Sequence, residues 1–233
     1  MNIYLNRSKH LIAVDCIIFG YDILEKEIKL LLTKRIFEPA KGKWSLVGGF
    51  VEENESLDEA ASRILRKITG LESVYMKQSY AYGEISRDPG DRVISVSYFA
   101  LIAIRDINTD HAKENEVSWC SLSSLPDLIF DHPLMVKRAL TDLQNQIRIK
   151  PVGFELLPDK FTLVQLQDLY EAIYQRKVDK RNFRKKILSM GILGKLNEKE
   201  KETSKKGAYY FKFNEDIYRR LIQNGSYFNL EVN

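Results

Sequence analysis

The stretch that decides the fold is Gly48–Leu71, which reads GGFVEENESLDEAASRILRKITGL. The two adjacent glycines predict a tight turn. A helix should begin after Ser56, because Glu59 follows three residues later at the spacing of a capping box. Apolar residues then recur every three or four positions, which predicts one continuous apolar face. They are Leu57, Ala60, Ala61, Ile64, Leu65 and Ile68. Gly70 is expected to end the helix, since glycine readily adopts the left-handed conformation of a helix C-cap.

This stretch resembles the Nudix box, in which a glycine and a glutamate precede a helix that carries three further glutamates. The positions that match are Gly49, Glu55, Arg63, Leu65, Gly70 and Leu71. The three helix glutamates are absent, and Ile64, Lys67 and Ile68 take their places. An ordinary amphipathic helix after a Gly-Gly turn would show the same apolar face, but the register of the whole match argues against that alternative.

The resemblance implies a scaffold that hydrolyses a nucleoside diphosphate linked to another group, with the helix glutamates holding Mg²⁺. A hard divalent cation needs oxygen ligands, and isoleucine offers none. We therefore expect no metal site, no catalytic residue, no cofactor and no enzymatic activity. The alternative is a pyrophosphohydrolase whose metal site is rebuilt from Glu52, Glu53 or Glu55.

The charge of the chain is unevenly distributed along its 233 residues. Residues 1–150 carry 20 Lys+Arg and 21 Asp+Glu, a net charge of −1, whereas residues 151–233 carry 16 and 11, a net charge of +5. A localised positive excess favours an anionic partner such as nucleic acid. The polar N-terminus, Met1–His10, lacks the apolar core of a signal peptide, and no membrane-spanning run occurs, so we expect a cytoplasmic protein without a membrane partner.

Runs of β-branched and aromatic residues predict five strands in the first 150 residues. They are residues 12–19, 28–35, 72–84, 93–104 and 116–120, and residues 44–47 lead into the expected Gly-Gly turn. A second helix is expected from Asp131 to about Ile147, with Pro133 in its first turn. The predicted fold class is α+β, with a Nudix-type mixed sheet packed between helices over residues 1–150.

Residues 151–233 are expected to form a small winged helix-turn-helix domain. Thr162 and Gln165 form a second capping-box pair at the start of one helix, and Asp179 caps another helix at Lys180–Met190. A hairpin should follow. Its parts are a strand at Ile192–Leu196, a charged loop at Asn197–Lys206 and a strand at Ala208–Phe213.

Residues 176–186 hold seven positive charges and one negative charge. At the start of a recognition helix, Arg181 and Asn182 could contact base edges, since Arg suits guanine and Asn suits adenine. The predicted DNA-binding residues are Lys180, Arg181, Asn182, Arg184, Lys185, Lys186, Lys205 and Lys206. A solvated helix face, an RNA-binding surface and a protein-docking surface are the alternatives.

Both halves in this order resemble the Nudix-related transcriptional regulators. The resemblance implies a homodimeric repressor of transcription whose Nudix domain binds a metabolite and whose winged helices release a palindromic operator DNA when the effector binds. The sequences WSLVGGF at Trp44–Phe50, FDHP at Phe130–Pro133 and DKRNFRK at Asp179–Lys185 look closest to the branch that senses L-arabinose and controls carbohydrate metabolism. The alternative effector is ADP-ribose, for a regulator of NAD metabolism, with Lys67 as one cation for the diphosphate.

A sugar effector needs polar partners and an aromatic face. The predicted effector-binding residues are Asp15, Arg35, Phe37, Glu38, Lys43, Trp44, Arg87 and Asp88. Core packing is the alternative for the two aromatic residues, and a solvated turn is the alternative for Arg87 and Asp88. The three histidines, His10, His111 and His132, lie far apart in the sequence, so no catalytic Ser/His/Asp arrangement is expected.

Overall fold

The computed structural model describes residues 7–72, 74–107, 116–201, 207–225 and 228–230. His111 and the wing residues Lys205 and Lys206 lie outside the described residues. The chain divides into two units. One comprises Met1–Phe19, Lys29–Ala100 and Asp106–Ala139, and the other comprises Gly20–Ile28, Leu101–Arg105 and Leu140–Asn233.

A six-stranded sheet forms the centre of the N-terminal fold. Its strands are β1 (Leu11–Asp22), β2 (Glu27–Lys34), β3 (Trp44–Phe50), β4 (Tyr75–Tyr82), β5 (Val93–Ala103) and β6 (Val117–Ser121). The strand order is β4-β5-β1-β3-β2-β6. The long, almost wholly buried runs of β1 and β5 explain why apolar sequence alone identified them. The tight turn predicted at Gly48 and Gly49 is wrong. Both glycines lie within β3, because residues 47–50 of this strand pair antiparallel with residues 13–16 of β1.

Helix α1 (Leu57–Thr69) forms as the sequence predicts. The Ser56 hydroxyl accepts a hydrogen bond from the Glu59 amide, and the Glu59 carboxylate accepts one from the Ser56 amide, which completes the capping box. Gly70 ends the helix with φ of 74°. Helix α1 packs closely against β3. A Cβ added at Gly49 would lie 3.3 Å from Cδ1 of Ile64, so the second glycine of the pair permits this close approach.

The second half of the chain folds into a winged helix. Its elements are β7 (Phe161–Thr162), α3 (Leu163–Tyr174), α4 (Lys180–Ser189), β8 (Leu193–Glu200), β9 (Ala208–Phe213) and α5 (Glu215–Gln223), which follow α2 (His132–Ile149). The three strands lie in the order β7-β9-β8. The rings of Tyr170 from α3 and Phe183 from α4 pack at 5.5 Å between centroids, and both side chains are fully buried. The α+β class with a winged helix-turn-helix is therefore confirmed.

The wing differs from its prediction. Strand β8 continues to Glu200, so part of the segment expected as a charged loop is paired with β9, with Lys199 opposite Tyr209. The ammonium groups of Lys195 and Lys199 lie 3.7 and 4.5 Å from the centre of the Tyr209 ring. Five of the eight residues of β8 are exposed and the other three are half-buried. Because this ribbon buries little, its strand lacks the apolar alternation on which sequence-based prediction depends.

In the described part of the chain, no helix combines the length and the apolar character that a transmembrane span requires.

Candidate functional site

The N-terminal unit contains a cavity of about 610 Å³ beside α1 and the facing ends of β1, β2 and β3. This volume lies within the usual range of small-ligand pockets, about 300–1,000 Å³. Five of the predicted effector-binding residues line it, namely Asp15, Arg35, Phe37, Arg87 and Asp88. The other three, Glu38, Lys43 and Trp44, are not among its lining residues. The cavity is also lined by residues that the sequence did not indicate, namely Lys34, Ile36, Arg63, Phe130 and His132.

A network of buried polar groups forms the floor of the cavity. Arg87 is only 7% exposed and donates two hydrogen bonds to Asp131, from Nε at 2.9 Å and from Nη2 at 2.8 Å. Its Nη2 also lies 3.7 Å from Oδ2 of Asp15. The Ser95 hydroxyl donates to the same Asp15 oxygen at 2.5 Å. Arg87 is thus a buried structural cation, and the alternative of a solvated turn is wrong for this residue.

His132 completes this floor, although the sequence placed it only at a helix entry. Its Nδ1 accepts a hydrogen bond from the Leu46 amide at 3.1 Å, so the ring proton belongs on Nε2. That atom lies 3.8 Å from Oδ1 of Asp15. Burial lowers the pKa of His132 below its ordinary value, and the nearby Asp15 carboxylate only partly offsets this effect. The imidazole is therefore neutral near pH 7.

Gly48 faces Asp15 across the β1–β3 pair. A Cβ added at Gly48 would lie 2.5 Å from Oδ1 of Asp15 and 2.8 Å from the Val14 carbonyl oxygen. Both distances are shorter than real side-chain contacts allow. The first glycine of the Gly-Gly pair is thus needed to admit the buried carboxylate.

Helix α1 supplies one wall of the cavity through Arg63, Ile64, Lys67 and Ile68. Arg63 donates to both carboxylate oxygens of Glu55, from Nε at 2.8 Å and from Nη2 at 2.5 Å. These hydrogen bonds hold the pKa of Glu55 at about 2. Glu52 also lies 3.7 Å from Nη1 of Arg63. Two of the three carboxylates that could rebuild a metal site therefore face a guanidinium group.

The described residues contain no cluster of three or more His, Cys, Asp or Glu side chains that could hold a metal ion.

Aromatic contacts border the opening of the cavity. The Arg35 guanidinium lies over Phe37, 4.1 Å from its ring centre, and 5.2 Å from the centre of Phe130. The Trp44 ring is half-buried and is covered by the Lys34 ammonium at 5.2 Å. The aromatic residues that line the cavity are therefore Phe37 and Phe130. Trp44 was predicted in place of Phe130.

The second unit presents a basic helix, α4. The Asp179 carboxylate caps it by accepting a hydrogen bond from the Asn182 amide at 2.7 Å. Phe183 and Ile187 bury one face of the helix. Four of the predicted DNA-binding residues are exposed and two are half-buried. The exposed ones are Lys180, Arg181, Asn182 and Lys185, and the half-buried ones are Arg184 and Lys186.

Glu171 fixes the turn that precedes this helix, a role the sequence analysis did not foresee. Its side chain is buried and accepts hydrogen bonds from Nε2 of Gln167 at 2.9 Å, Nζ of Lys177 at 2.7 Å and the Val178 amide at 3.2 Å. The last two donors belong to the turn between α3 and α4. One carboxylate thus ties that turn to α3.

A small-molecule cavity and a helix-turn-helix with a basic second helix define a ligand-responsive DNA-binding protein. Comparisons with known proteins support this class. Residues 9–139 match the NUDIX domain family, and residues 153–213 match the family described as the NrtR DNA-binding winged helix domain.

Similar proteins narrow the class further. The ADPR responsive transcriptional repressor NtrR of Acinetobacter baylyi is 32% identical over 207 residues, which cover 87% of this chain and 82% of that protein. Shewanella oneidensis NrtR in complex with a 27mer DNA matches with a TM-score of 0.78 and 27% identity, over 94% of this chain and 99% of that one. The NUDIX domain of Shewanella oneidensis NrtR complexed with ADP ribose matches with a TM-score of 0.50 and 28% identity, over 61% of this chain and 94% of that one. The chain belongs to the NrtR-type family of Nudix-related transcriptional regulators.

Proposed function

We propose that this chain is a transcriptional repressor whose Nudix domain binds ADP-ribose and thereby releases operator DNA. The sequence analysis placed L-arabinose first, but the comparisons favour its alternative. The Acinetobacter relative is named as ADPR responsive, and the Shewanella Nudix domain binds ADP ribose. No similar protein reported above is named for arabinose.

The charged residues that line the cavity favour ADP-ribose over L-arabinose as the effector. Among the described residues, five cationic side chains and three acidic ones line it. They are Lys34, Arg35, Arg63, Lys67 and Arg87 against Asp15, Asp88 and Glu116. Because Glu55 and Asp131 balance the charges of Arg63 and Arg87, the preference for an anion depends on Lys34, Arg35 and Lys67. A neutral pentose has no charge with which to meet these cations, whereas a diphosphate is anionic and forms strong charge-assisted hydrogen bonds with Lys and Arg.

The wall of the cavity that helix α1 supplies argues against hydrolysis of the ligand. Ile64 and Ile68 cannot bind a cation, and Glu55 is committed to Arg63. We therefore propose that the domain binds ADP-ribose without cleaving it. Incubation with Mg²⁺ and ADP-ribose should leave the ligand intact, and robust turnover abolished by Glu55→Gln would contradict this proposal.

The proposed repressor acts as a homodimer on a palindromic operator. Two recognition helices would enter successive major grooves about 34 Å apart. ADP-ribose must bind the DNA-incompetent state more tightly, because a ligand with equal affinity for both states shifts nothing. A coupling of about 1–3 kcal/mol between the two sites is typical of such regulators.

Isothermal titration calorimetry tests the effector. The purified full chain is titrated with ADP-ribose and, in parallel, with L-arabinose. Saturable binding of ADP-ribose alone supports the proposal, and a matching thermal-shift assay should show about 2.7 kcal/mol of stabilisation at 100 times the dissociation constant. Binding of L-arabinose but not of ADP-ribose would contradict the proposal and would identify L-arabinose as the effector.

A further inference from the structure

Helix α1 places a lysine in the cavity where its resemblance to the Nudix box calls for a metal-binding glutamate. Lys67 is exposed and lines the cavity together with Arg63, Ile64 and Ile68. We propose that Lys67 takes over the charge of the missing divalent cation, so that the cavity binds a diphosphate ester without metal. This inference rests on the proposed function, because it concerns how the same cavity holds its ligand.

The donor set of the cavity does not fit Mg²⁺, which takes six ligands, mostly oxygens of carboxylates, phosphates and water. Asp15, Asp88 and Glu116 line the cavity, but the described residues hold no cluster of three His, Cys, Asp or Glu side chains that could bind a metal ion. Glu55, which precedes α1, accepts two hydrogen bonds from Arg63. On the opposite side, Asp15 accepts from Ser95 and lies close to Arg87. Capture of a cation by either carboxylate would require breaking an ion pair.

The spacing of α1 puts its cationic and apolar residues on neighbouring strips of one wall. Arg63 and Lys67 are four residues apart, as are Ile64 and Ile68, so each pair lies on one face of the helix. Ile64 packs against the Gly49 end of β3 and anchors the helix there. The ammonium of Lys67 therefore projects from a helix whose position is fixed by packing.

The positive charge of Lys67 distinguishes this cavity from one that depends on a metal ion. An ammonium group repels a dication at short range and attracts a phosphate oxygen. A diphosphate brought in by ADP-ribose would meet Lys67 directly and would not need a bridging ion. Lys67 is then the residue that sets both metal independence and the preference for an anionic ligand.

Calorimetry in EDTA and in Mg²⁺ tests this inference on the full chain. Wild-type protein should bind ADP-ribose with equal affinity in both buffers. Lys67→Gln should weaken binding about ten- to a hundredfold, the range for loss of a hydrogen bond to a charged group. Arg66→Gln is the matched control, since Arg66 is an exposed cation on the same helix that does not line the cavity, and it should bind as wild type.

Lys67→Glu provides a readout that a merely structural role would not move. This variant should lose binding in EDTA and regain part of it in Mg²⁺, because the carboxylate restores one oxygen ligand. A requirement of the wild type for Mg²⁺, or unchanged affinity of Lys67→Gln, would overturn the inference.

Inorganic pyrophosphate keeps the two proposals distinguishable. If ADP-ribose binds in neither buffer, the proposed function fails, and the pyrophosphate titration decides the inference alone. Metal-independent pyrophosphate binding that depends on Lys67 supports it, whereas absence of pyrophosphate binding overturns it as well.

Discussion

The carboxylate of Asp15 contacts groups from three separate parts of the sequence. Ser95 donates a hydrogen bond to it, the Arg87 guanidinium lies 3.7 Å away, and Nε2 of His132 lies 3.8 Å away. Its fourth neighbour is the bare backbone of Gly48. At the scale of the residue, the cavity depends on the pairing of this buried carboxylate, since burial of an unpaired charge is strongly unfavourable. It also depends on the space that Gly48 leaves for the carboxylate.

Gly48→Ala should destabilise the protein by about 1–3 kcal/mol, the usual result of overpacking. The new Cβ would lie 2.5 Å from Oδ1 of Asp15, so the carboxylate or the strand must shift. Urea unfolding measures the change. Gly83→Ala is the control, since Gly83 is exposed and an added Cβ there meets nothing within 4 Å. Equal stability of the two variants would contradict the packing argument.

His132 should make the protein less stable as the pH falls below about 6.5. Its pKa is lowered in the folded state, mainly by burial, so the unfolded chain takes up a proton below pH 6.5 while the folded chain does not. Stability from this residue is therefore present above pH 6.5 and is lost as the pH falls from there towards the folded-state pKa.

His132→Asn removes the titrating group. Urea unfolding of both proteins between pH 8 and pH 5 should show the advantage of the wild type shrinking below about pH 6.5, where unfolded histidine protonates. Parallel stability curves for the two proteins would contradict this account, because they would show that folding does not lower the pKa of His132.

At the scale of the element, Glu171 links two helices through the turn between them. Glu171→Gln should destabilise the winged helix by about 1–3 kcal/mol, because hydrogen bonds to a buried carboxylate from Lys177 and Val178 are weakened. Glu215→Gln is the control, since the ion pair of Glu215 with Arg219 is 63% and 67% exposed and should contribute little to stability. Urea unfolding compares the two, and an equal effect would show that Glu171 is an ordinary surface carboxylate.

Helix α4 should contact DNA bases through Arg181 and DNA phosphates through Lys185. Arg181→Ala should relax preference at one base pair at a cost of about 1–3 kcal/mol, whereas Lys185→Ala should weaken binding to all sequences and reduce the salt slope by about 1. Fluorescence anisotropy with duplexes selected from a random pool measures both effects. Lys77→Ala, which removes an exposed cation on β4, is the control and should change neither. Unaltered DNA affinity in both α4 variants would refute the recognition-helix assignment.

Sequence-based prediction succeeded where a signal is local. The capping boxes at Ser56 and Thr162 form as predicted, and α1 buries Ala60, Ala61, Ile64 and Leu65 of its predicted apolar face. The floor of the cavity could not be predicted, because Asp15 meets His132 only through tertiary folding. Glu171 likewise resembles a helix-surface carboxylate in the sequence, and only the turn that folds back on it shows its role.

At the scale of the whole molecule, the chain combines a domain that is nearly neutral with one that is strongly basic. Residues 151–233 carry the entire positive excess, 16 Lys+Arg against 11 Asp+Glu. This charge suits the DNA phosphates, and the affinity should fall steeply with salt. The effector site lies in the other part of the chain, so regulation requires that ligand and DNA favour different states of the protein.

Release of DNA by the effector tests the central claim most directly. The full chain is bound to a labelled duplex selected from a random pool, and fluorescence anisotropy is followed in EDTA as ADP-ribose or L-arabinose is added. The account predicts that ADP-ribose lowers the anisotropy to that of free DNA and that L-arabinose leaves it unchanged. DNA that stays bound in saturating ADP-ribose, or that is released by L-arabinose instead, would contradict it.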